Sequence, residues 1–549
     1  MVLTDKFYKR ILLLCASGVL TGLTVTFPTI GIFGWLTLVP LAVFLLSVVT
    51  NKSVKLHALY GYGFAFFMSF GVVNFHWFIN LYPLDFIDGM TRGGAMAVVL
   101  LGTFGLSTLQ AVQGALLFPL AALLFRSKLI QKLSFLQPII IASLWAVYEW
   151  TQTLGWWGVP WGRLAISQTA LPVGIQTASL FGSYFISFLI VLVNSYIAYG
   201  LVWALMRTSE ERRSAIRLSA IVCCSVLIFQ YGAGLCIWLL NTPEKDGKTV
   251  SAAAIQGNIP SGEKWDTETT SKTFEVYEKY TAEAAKSGAE IVVFPETALP
   301  WVVREGNRPY TYLSRLSKTY GVTILAGVLT EDADGDYNSI LCFTPDGKAS
   351  DTVYNKRHLV PFGEYVPMKD LITLLAPPLA ELVLSSGEIS EGEGANIFEL
   401  EEANIGSIIC FDSIFEVLTL DSVREGASLI CISTNDSWFT DSAALHMHNA
   451  QAKLRAVECD RYVVRAANTG ISSIITNRGE SVEELPPLES GYIVQDVEIR
   501  TGRTLYSYIG NSFVYLCIAF LTVILSINLC NLFKKMNKYK TFLFFLQYY

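Results

Sequence analysis

Three residues able to attack and process a carbonyl stand at or just past the ends of apolar runs in the second half of the chain. Glu296 follows Ile-Val-Val-Phe-Pro at 291–295, Lys356 follows Val353-Tyr354-Asn355, and Cys410 follows Asn-Ile-Gly-Ser-Ile-Ile at 404–409. A thiol attacks only as the thiolate, so Cys410 needs a base. Glu296 can serve if burial raises its pKa toward the working pH. The tetrahedral intermediate carries an oxyanion that Lys356 and a backbone N–H near Cys410 can stabilise. No histidine is required, and His57, His76, His358, His446 and His448 offer no cysteine–histidine pattern. A lone cysteine after isoleucines is usually a small core residue. Three reactive groups delivered in the same way point to a catalytic arrangement instead.

These groups need a rigid frame, and the sequence from 250 to 500 reads as alternating strands and helices. Strands are expected at 250–255, 291–294, 322–328, 405–410, 428–433, 462–467 and 472–476, with the sixth and seventh closing the pattern. A hairpin over 338–344 and 350–354 turns at Pro345-Asp346-Gly347. Helices are expected at 267–287, 310–319 and about 442–460. Such alternation implies a layered α/β domain.

The rest of the chain has another character. Of its 549 residues, 52% are hydrophobic and only 16% charged, against about 25% charged in soluble domains, so part of it belongs in lipid. The net charge of −6 gives no sign of a nucleic-acid partner. About eight membrane spans are expected, near 11–27, 31–50, 57–79, 95–125, 134–151, 181–205, 216–240 and 513–533. Basic residues mark every second connection: Lys6, Lys9 and Arg10; Lys52 and Lys55; Arg126, Lys128 and Lys132; Arg207, Arg212, Arg213 and Arg217; Lys534, Lys535, Lys538 and Lys540. The positive-inside bias puts those connections in the cytoplasm and the segment 241–512 outside. The domains are therefore 1–240 in the membrane, 241–512 outside it, and 513–549 as a last span with a basic tail. An outer loop at 145–168 carries Trp156, Trp157 and Trp161 around Gly158 and Pro160. It reads either as an aromatic belt or as a cradle facing the outer domain. The ten cysteines show no CxxC spacing, so neither a structural disulfide nor a zinc site is expected.

Five segments, FPETALP (294–300), NKRHLVPFGEYVP (355–367), SIICFD (407–412), NDSWF (435–439) and RAANTGISSIITNRGE (465–480), resemble the nitrilase superfamily. Within it, the layout is similar to its membrane-embedded branch, the apolipoprotein N-acyltransferase family. The resemblance implies a nitrilase-like layered sandwich beside a polytopic helical membrane domain, with Glu296 as general base, Lys356 as oxyanion partner and Cys410 as nucleophile. It further implies Glu364 as a second carboxylate supporting the lysine, Asn435 as a polar neighbour of the nucleophile, and Trp265 and Trp438 beside the acyl cleft. Where the family carries Tyr-Glu after the nucleophile, this chain has Phe411-Asp412, and a role in substrate positioning is expected for both.

The chemistry so implied is ping-pong acyl transfer. A phospholipid would donate an acyl chain to Cys410, and the α-amino group of a diacylglyceryl-modified lipoprotein cysteine would accept it, with no cofactor or metal. The implied setting is the bacterial inner membrane with the catalytic domain on the periplasmic side, and a monomer is expected. The rival reading is a membrane-tethered amidase or nitrilase acting on a small amide. It uses the same three residues but needs only one anchor.

Overall fold

A computed structural model describes residues 6–48, 54–84, 90–206, 208–242, 247–260, 267–375 and 387–547. Among them, seven helical segments are long and apolar enough to cross a membrane: Phe7–Thr26, Pro28–Ser47, Leu56–Asn74, Arg92–Phe125, Ser183–Leu205, Ser209–Leu240 and Ser512–Asn531. The remaining expected span, at 134–151, is the helix Gln137–Thr151, whose 15 residues fall short of the roughly 20 a crossing needs. It lies against the helices Ser183–Met206 and Ser512–Gln547, and its residues from Gln137 to Ala146 are nearly all buried. A short apolar helix is tolerated there because protein surrounds it, so its ends need not meet the headgroups.

Beyond the membrane helices lie two six-stranded sheets. The first holds β1 (Thr249–Gln256), β2 (Ile291–Val293), β3 (Thr323–Glu331), β4 (Asp336–Phe343), β5 (Ala349–Asn355) and β12 (Gly491–Glu498), in the order β12-β1-β2-β3-β4-β5. The second holds β6 (Phe398–Glu399), β7 (Asn404–Ile409), β8 (Leu429–Thr434), β9 (Val463–Ala467), β10 (Ser472–Ile475) and β11 (Ser481–Leu485), running from β11 through to β6. Alternate residues of the central strands face each other across the sandwich. Ala252, Ala254, Ile291, Val293 and Leu325 from one sheet share a core with Ile405, Ile409, Leu429, Cys431 and Val464 from the other. Helices Thr267–Lys286 and Arg308–Tyr320 cover the outer face of the first sheet. Glu416–Arg424 and Ala443–Cys459 cover the second, and their core runs on without a break into that of the membrane bundle.

The layered α/β expectation holds, with differences at its margins. The pattern does not close at β10, because β11, β12 and the two-residue β6 follow or flank the expected strands. β11 is Ser-Val-Glu-Glu-Leu, an edge strand mostly open to water, so no apolar run marks it. The strand expected to end at Cys410 ends at Ile409, and Cys410 opens a short 3-10 turn, Cys410–Ile414.

Strand direction decides where the site falls. β1, β2 and β3 are mutually parallel, and β4 runs antiparallel to both β3 and β5. β2 and β5 therefore end at the same edge of their sheet. β7, β8 and β9 are likewise parallel in the second sheet. The open ends of parallel strands are where ligands meet α/β sheets.

Candidate active site

Each of the three expected residues sits just past the end of its strand. Glu296 follows β2 in a turn that lies against β3. A side chain at Gly327 would come within 2.4 Å of the Pro295 carbonyl and 2.8 Å of the Glu296 Cα, so this crossing requires glycine. Lys356 follows β5, and its backbone N–H donates to the Asn338 carbonyl of β4 at 2.8 Å. Cys410 takes a left-handed backbone conformation, φ +45°. That is uncommon for a non-glycine residue, and such strain persists only where the surroundings enforce it.

The three side chains converge. Lys356 Nζ donates to Glu296 Oε1 at 3.0 Å and to Glu364 Oε1 at 2.8 Å. Glu296 Oε1 also accepts from Asn338 Nδ2 at 2.7 Å, and its Oε2 accepts the Asn435 backbone N–H at 2.8 Å. Glu364 Oε2 accepts the Val360 N–H at 2.8 Å, which fixes the second carboxylate. Lys356 is 1% exposed and Glu296 6%, whereas Cys410 is half-buried.

Electrostatics follow from this packing. Burial works against the Lys356 ammonium, but Glu296 and Glu364 hold its pKa well above the ordinary lysine value. Burial, followed by the Glu296 carboxylate, pushes the Cys410 thiol well above its usual range, while Lys356 opposes. At rest the sulfur is a thiol, so attack requires that a base remove its proton as the substrate arrives.

A second polar network holds the Cys410 turn from behind. Ser413 Oγ donates to the Cys410 carbonyl at 2.7 Å. His448 Nε2 lies 2.9 Å from Ser413 Oγ and 3.2 Å from that carbonyl, and its Nδ1 lies 2.9 Å from Asp436 Oδ1. Arg465 donates to Asp436 Oδ2 at 2.7 Å. Burial opposes the Asp436 charge, yet Arg465 and His448 keep its carboxyl well below the usual range. Trp161 from the membrane domain packs on the His448 ring, with centroids 5.7 Å apart. These contacts hold Cys410 in its left-handed conformation.

The remaining expected residues are placed as follows. Asn435 stands beside Glu296 through its backbone N–H, and its Oδ1 accepts from Asn468 at 3.1 Å. Trp438, in the short turn Ser437–Phe439, is 39% exposed. Trp265 lies outside the described residues. Phe411 is half-buried and packs edge-on against Phe415 at 5.3 Å. Asp412 is 0% exposed. Its carboxylate accepts Tyr354 Oη at 2.8 Å and the His358 N–H at 2.7 Å, tying the Lys356 loop to the nucleophile turn. Burial lifts its pKa to about 6, with Lys356 and these donors working against the rise. Asp412→Asn turns an acceptor into a donor facing an N–H, at a cost of about 1–3 kcal/mol. The expected result is a lower melting temperature in detergent, by about 2–4 °C per kcal/mol for a domain of this size. An unchanged melting temperature would show that the tie carries no stability.

Asn338 and the set His448, Asp436, Arg465 and Ser413 are absent from the expected site. Asn338 stands with Ser339 just ahead of the apolar run 340–343. Of the other four, Asp436 and Arg465 lie within the segments 435–439 and 465–480, but the set meets only when β7, β8, β9 and the Ala443–Cys459 helix pack together.

Comparison with known proteins covers nearly the whole chain. The model for the apolipoprotein N-acyltransferase N-terminal domain matches residues 17–196, and the carbon-nitrogen hydrolase model matches residues 251–506. An apolipoprotein N-acyltransferase from Gloeobacter violaceus is 30% identical over 491 residues, covering 89% of this chain and 88% of that protein. The chain belongs to the apolipoprotein N-acyltransferase family. Another member, from Geobacter metallireducens, is 32% identical over 386 residues, covering 68% of this chain and 71% of its own. One similar solved structure is Saccharomyces cerevisiae Nit3 of the nitrilase superfamily, at 19% identity and a TM-score of 0.37, covering 49% of this chain and 96% of that one. The family is thus one of acyltransferases built on a carbon-nitrogen hydrolase domain with a membrane domain joined to it.

Proposed function

We propose that this chain moves an acyl chain from a phospholipid to the α-amino group of a lipoprotein's N-terminal diacylglyceryl-cysteine, through a thioester on Cys410. The observation that carries the reading is the Glu296–Lys356–Cys410 constellation built on a domain whose outer helices share one core with a membrane bundle. Glu296 takes the proton of the Cys410 thiol as the sulfur attacks the phospholipid ester carbonyl. Lys356 faces the oxyanion, the carbonyl–oxygen ester bond breaks, and the lysophospholipid leaves with the proton returned by Glu296. The acceptor amine then attacks the thioester and loses a proton to Glu296. Amide forms, the carbon–sulfur bond breaks, and Cys410 regains its proton. Glu364 and Asn338 hold the lysine and the base in place, and Trp438 and Phe411 flank the approach to the sulfur.

The alternating basic connections support a catalytic domain outside the cytoplasm, in a bacterial inner membrane, where both substrates arrive by lateral diffusion. The chain acts there as a monomer. A tethered amidase would use the same residues but needs only a single anchor, and the match to the family's N-terminal domain favours the transferase.

The test uses a phospholipid labelled in its acyl chains, followed by a diacylglyceryl-cysteine peptide. Label should reach Cys410 in a hydroxylamine-sensitive bond, then pass to the peptide when it is added. Label that ignores the peptide but is cleared quickly by water would replace the transferase with a hydrolase.

A further inference from the structure

The outer loop at 145–168 reaches the catalytic domain through Arg163, which is 1% exposed. Its guanidinium donates to Ser183 Oγ at 3.1 Å, Tyr184 Oη at 3.0 Å and Glu416 Oε2 at 2.5 Å. Glu416, 2% exposed, also accepts from Tyr184 Oη at 2.8 Å and from Asn511 Nδ2 at 3.1 Å, just ahead of the last span. Arg455 lies 3.9 Å from Glu416 and 2.7 Å from Glu458, and Glu458 accepts the Ser183 N–H at 2.9 Å. Burial would raise the Glu416 carboxyl, but Arg163 and Arg455 hold it below its ordinary value. On the membrane side, Glu149 Oε1 accepts the N–H of Leu164 at 2.9 Å and that of Trp145 Nε1 at 2.9 Å, which fixes the loop beside Arg163.

Cohesion alone does not call for such a cluster. Buried ion pairs contribute little beyond what well-packed apolar side chains would, because desolvation offsets most of the attraction. What they supply is direction: a planar guanidinium whose two terminal nitrogens meet different partners accepts few geometries. The position of Glu416 gives that direction a use. It opens the helix Glu416–Arg424 immediately after the turn Cys410–Ile414, so anything that fixes Glu416 fixes the base of the nucleophile turn.

We infer that Arg163 is a positioning residue, setting the Cys410 turn through Glu416 so that the thiol reaches its full reactivity only when docked on the membrane domain. This rests on Cys410 being the nucleophile, and the experiment separates the two. Full-length protein in detergent is given the acyl-labelled phospholipid alone, and the time course of thioester formation yields a rate constant and an amplitude. The amplitude reports the folded fraction, whereas the rate constant reports the geometry of the site. Arg163→Met and Glu416→Gln should each lower the rate constant by about tenfold or more, as small misplacements of a nucleophile do. The double variant should be no slower than the slower single one, because both act through one contact. Arg163→Lys keeps the charge without the fork and should fall between wild type and Arg163→Met. If Arg163→Met yields no folded protein, the rate constant of Arg163→Lys decides by itself. Rate constants within about twofold of wild type, with only amplitude or melting temperature reduced, would overturn the inference and leave the cluster a structural one. A wild-type protein that forms no thioester would instead remove the nucleophile assignment, and this inference with it.

Discussion

Cys410→Ala should form no acyl-enzyme at all, and Glu296→Gln should form it more slowly by about 10²–10⁴, the usual contribution of a general base. The two failures differ in kind. Alanine removes the sulfur, so neither phospholipid nor an alkylating reagent labels the position. Glutamine keeps the volume and the bond from Asn338, but it cannot take a proton. The thiol of Glu296→Gln should therefore still be alkylated by iodoacetamide, at a rate that climbs with pH as the reagent draws on the small thiolate fraction. Removing the negative charge beside the sulfur also relieves one of the three causes that raise its pKa. Alkylation of Glu296→Gln at a given pH should consequently be no slower than wild type, while acylation by phospholipid collapses. Equal loss of both reactions would mean that Glu296 only holds the site together. Cys410→Ser belongs with the alanine variant, since a hydroxyl is far harder for a carboxylate to deprotonate than a thiol.

Lys356→Met should lower acyl-enzyme formation by about 10²–10³, or about 2.7–4 kcal/mol, where an oxyanion donor is lost. The wild-type ammonium touches both Glu296 and Glu364. Without it, two carboxylates bonded to the same Asn338 amide face each other in a buried site. The ammonium also opposes burial and Glu296 at the Cys410 thiol, so its loss leaves that thiol harder to deprotonate. The variant's residual activity should accordingly climb with pH over a range higher than that of wild type, because the thiol gives up its proton less readily. The measurement is the pH dependence of thioester formation in single turnover. A Lys356→Met profile superimposable on wild type, merely scaled down, would confine the lysine to the oxyanion. A rate within about threefold of wild type would remove it from the chemistry.

Sequence by itself picked out the candidate residues whose position is a local matter. Glu296, Lys356 and Cys410 each terminate or follow a short apolar run, and a buried strand can only present a reactive group to a cleft where it ends. The membrane segments were legible for a similar reason, because about twenty apolar residues in a row have few other destinations. Legibility failed where a residue's partner is distant in the chain. Asn338 bonds Glu296 and Glu364 only because β4 runs back beside the ends of β3 and β5. His448 reaches the Cys410 carbonyl across 38 positions, and Arg163 reaches Glu416 across 253. Asp412 reads as a substrate contact while it stands next to the nucleophile in the sequence. The fold turns its side chain inward, onto Tyr354 and His358. β11 and the 15-residue helix at 137–151 follow the same rule from the other side. An exposed edge strand lacks the apolar alternation that marks a buried one, and a helix sheathed by other helices is freed from the length a bilayer imposes. Period and hydrophobicity along the chain report what each segment must hide, but which polar group meets which is settled only by the packing that hides them.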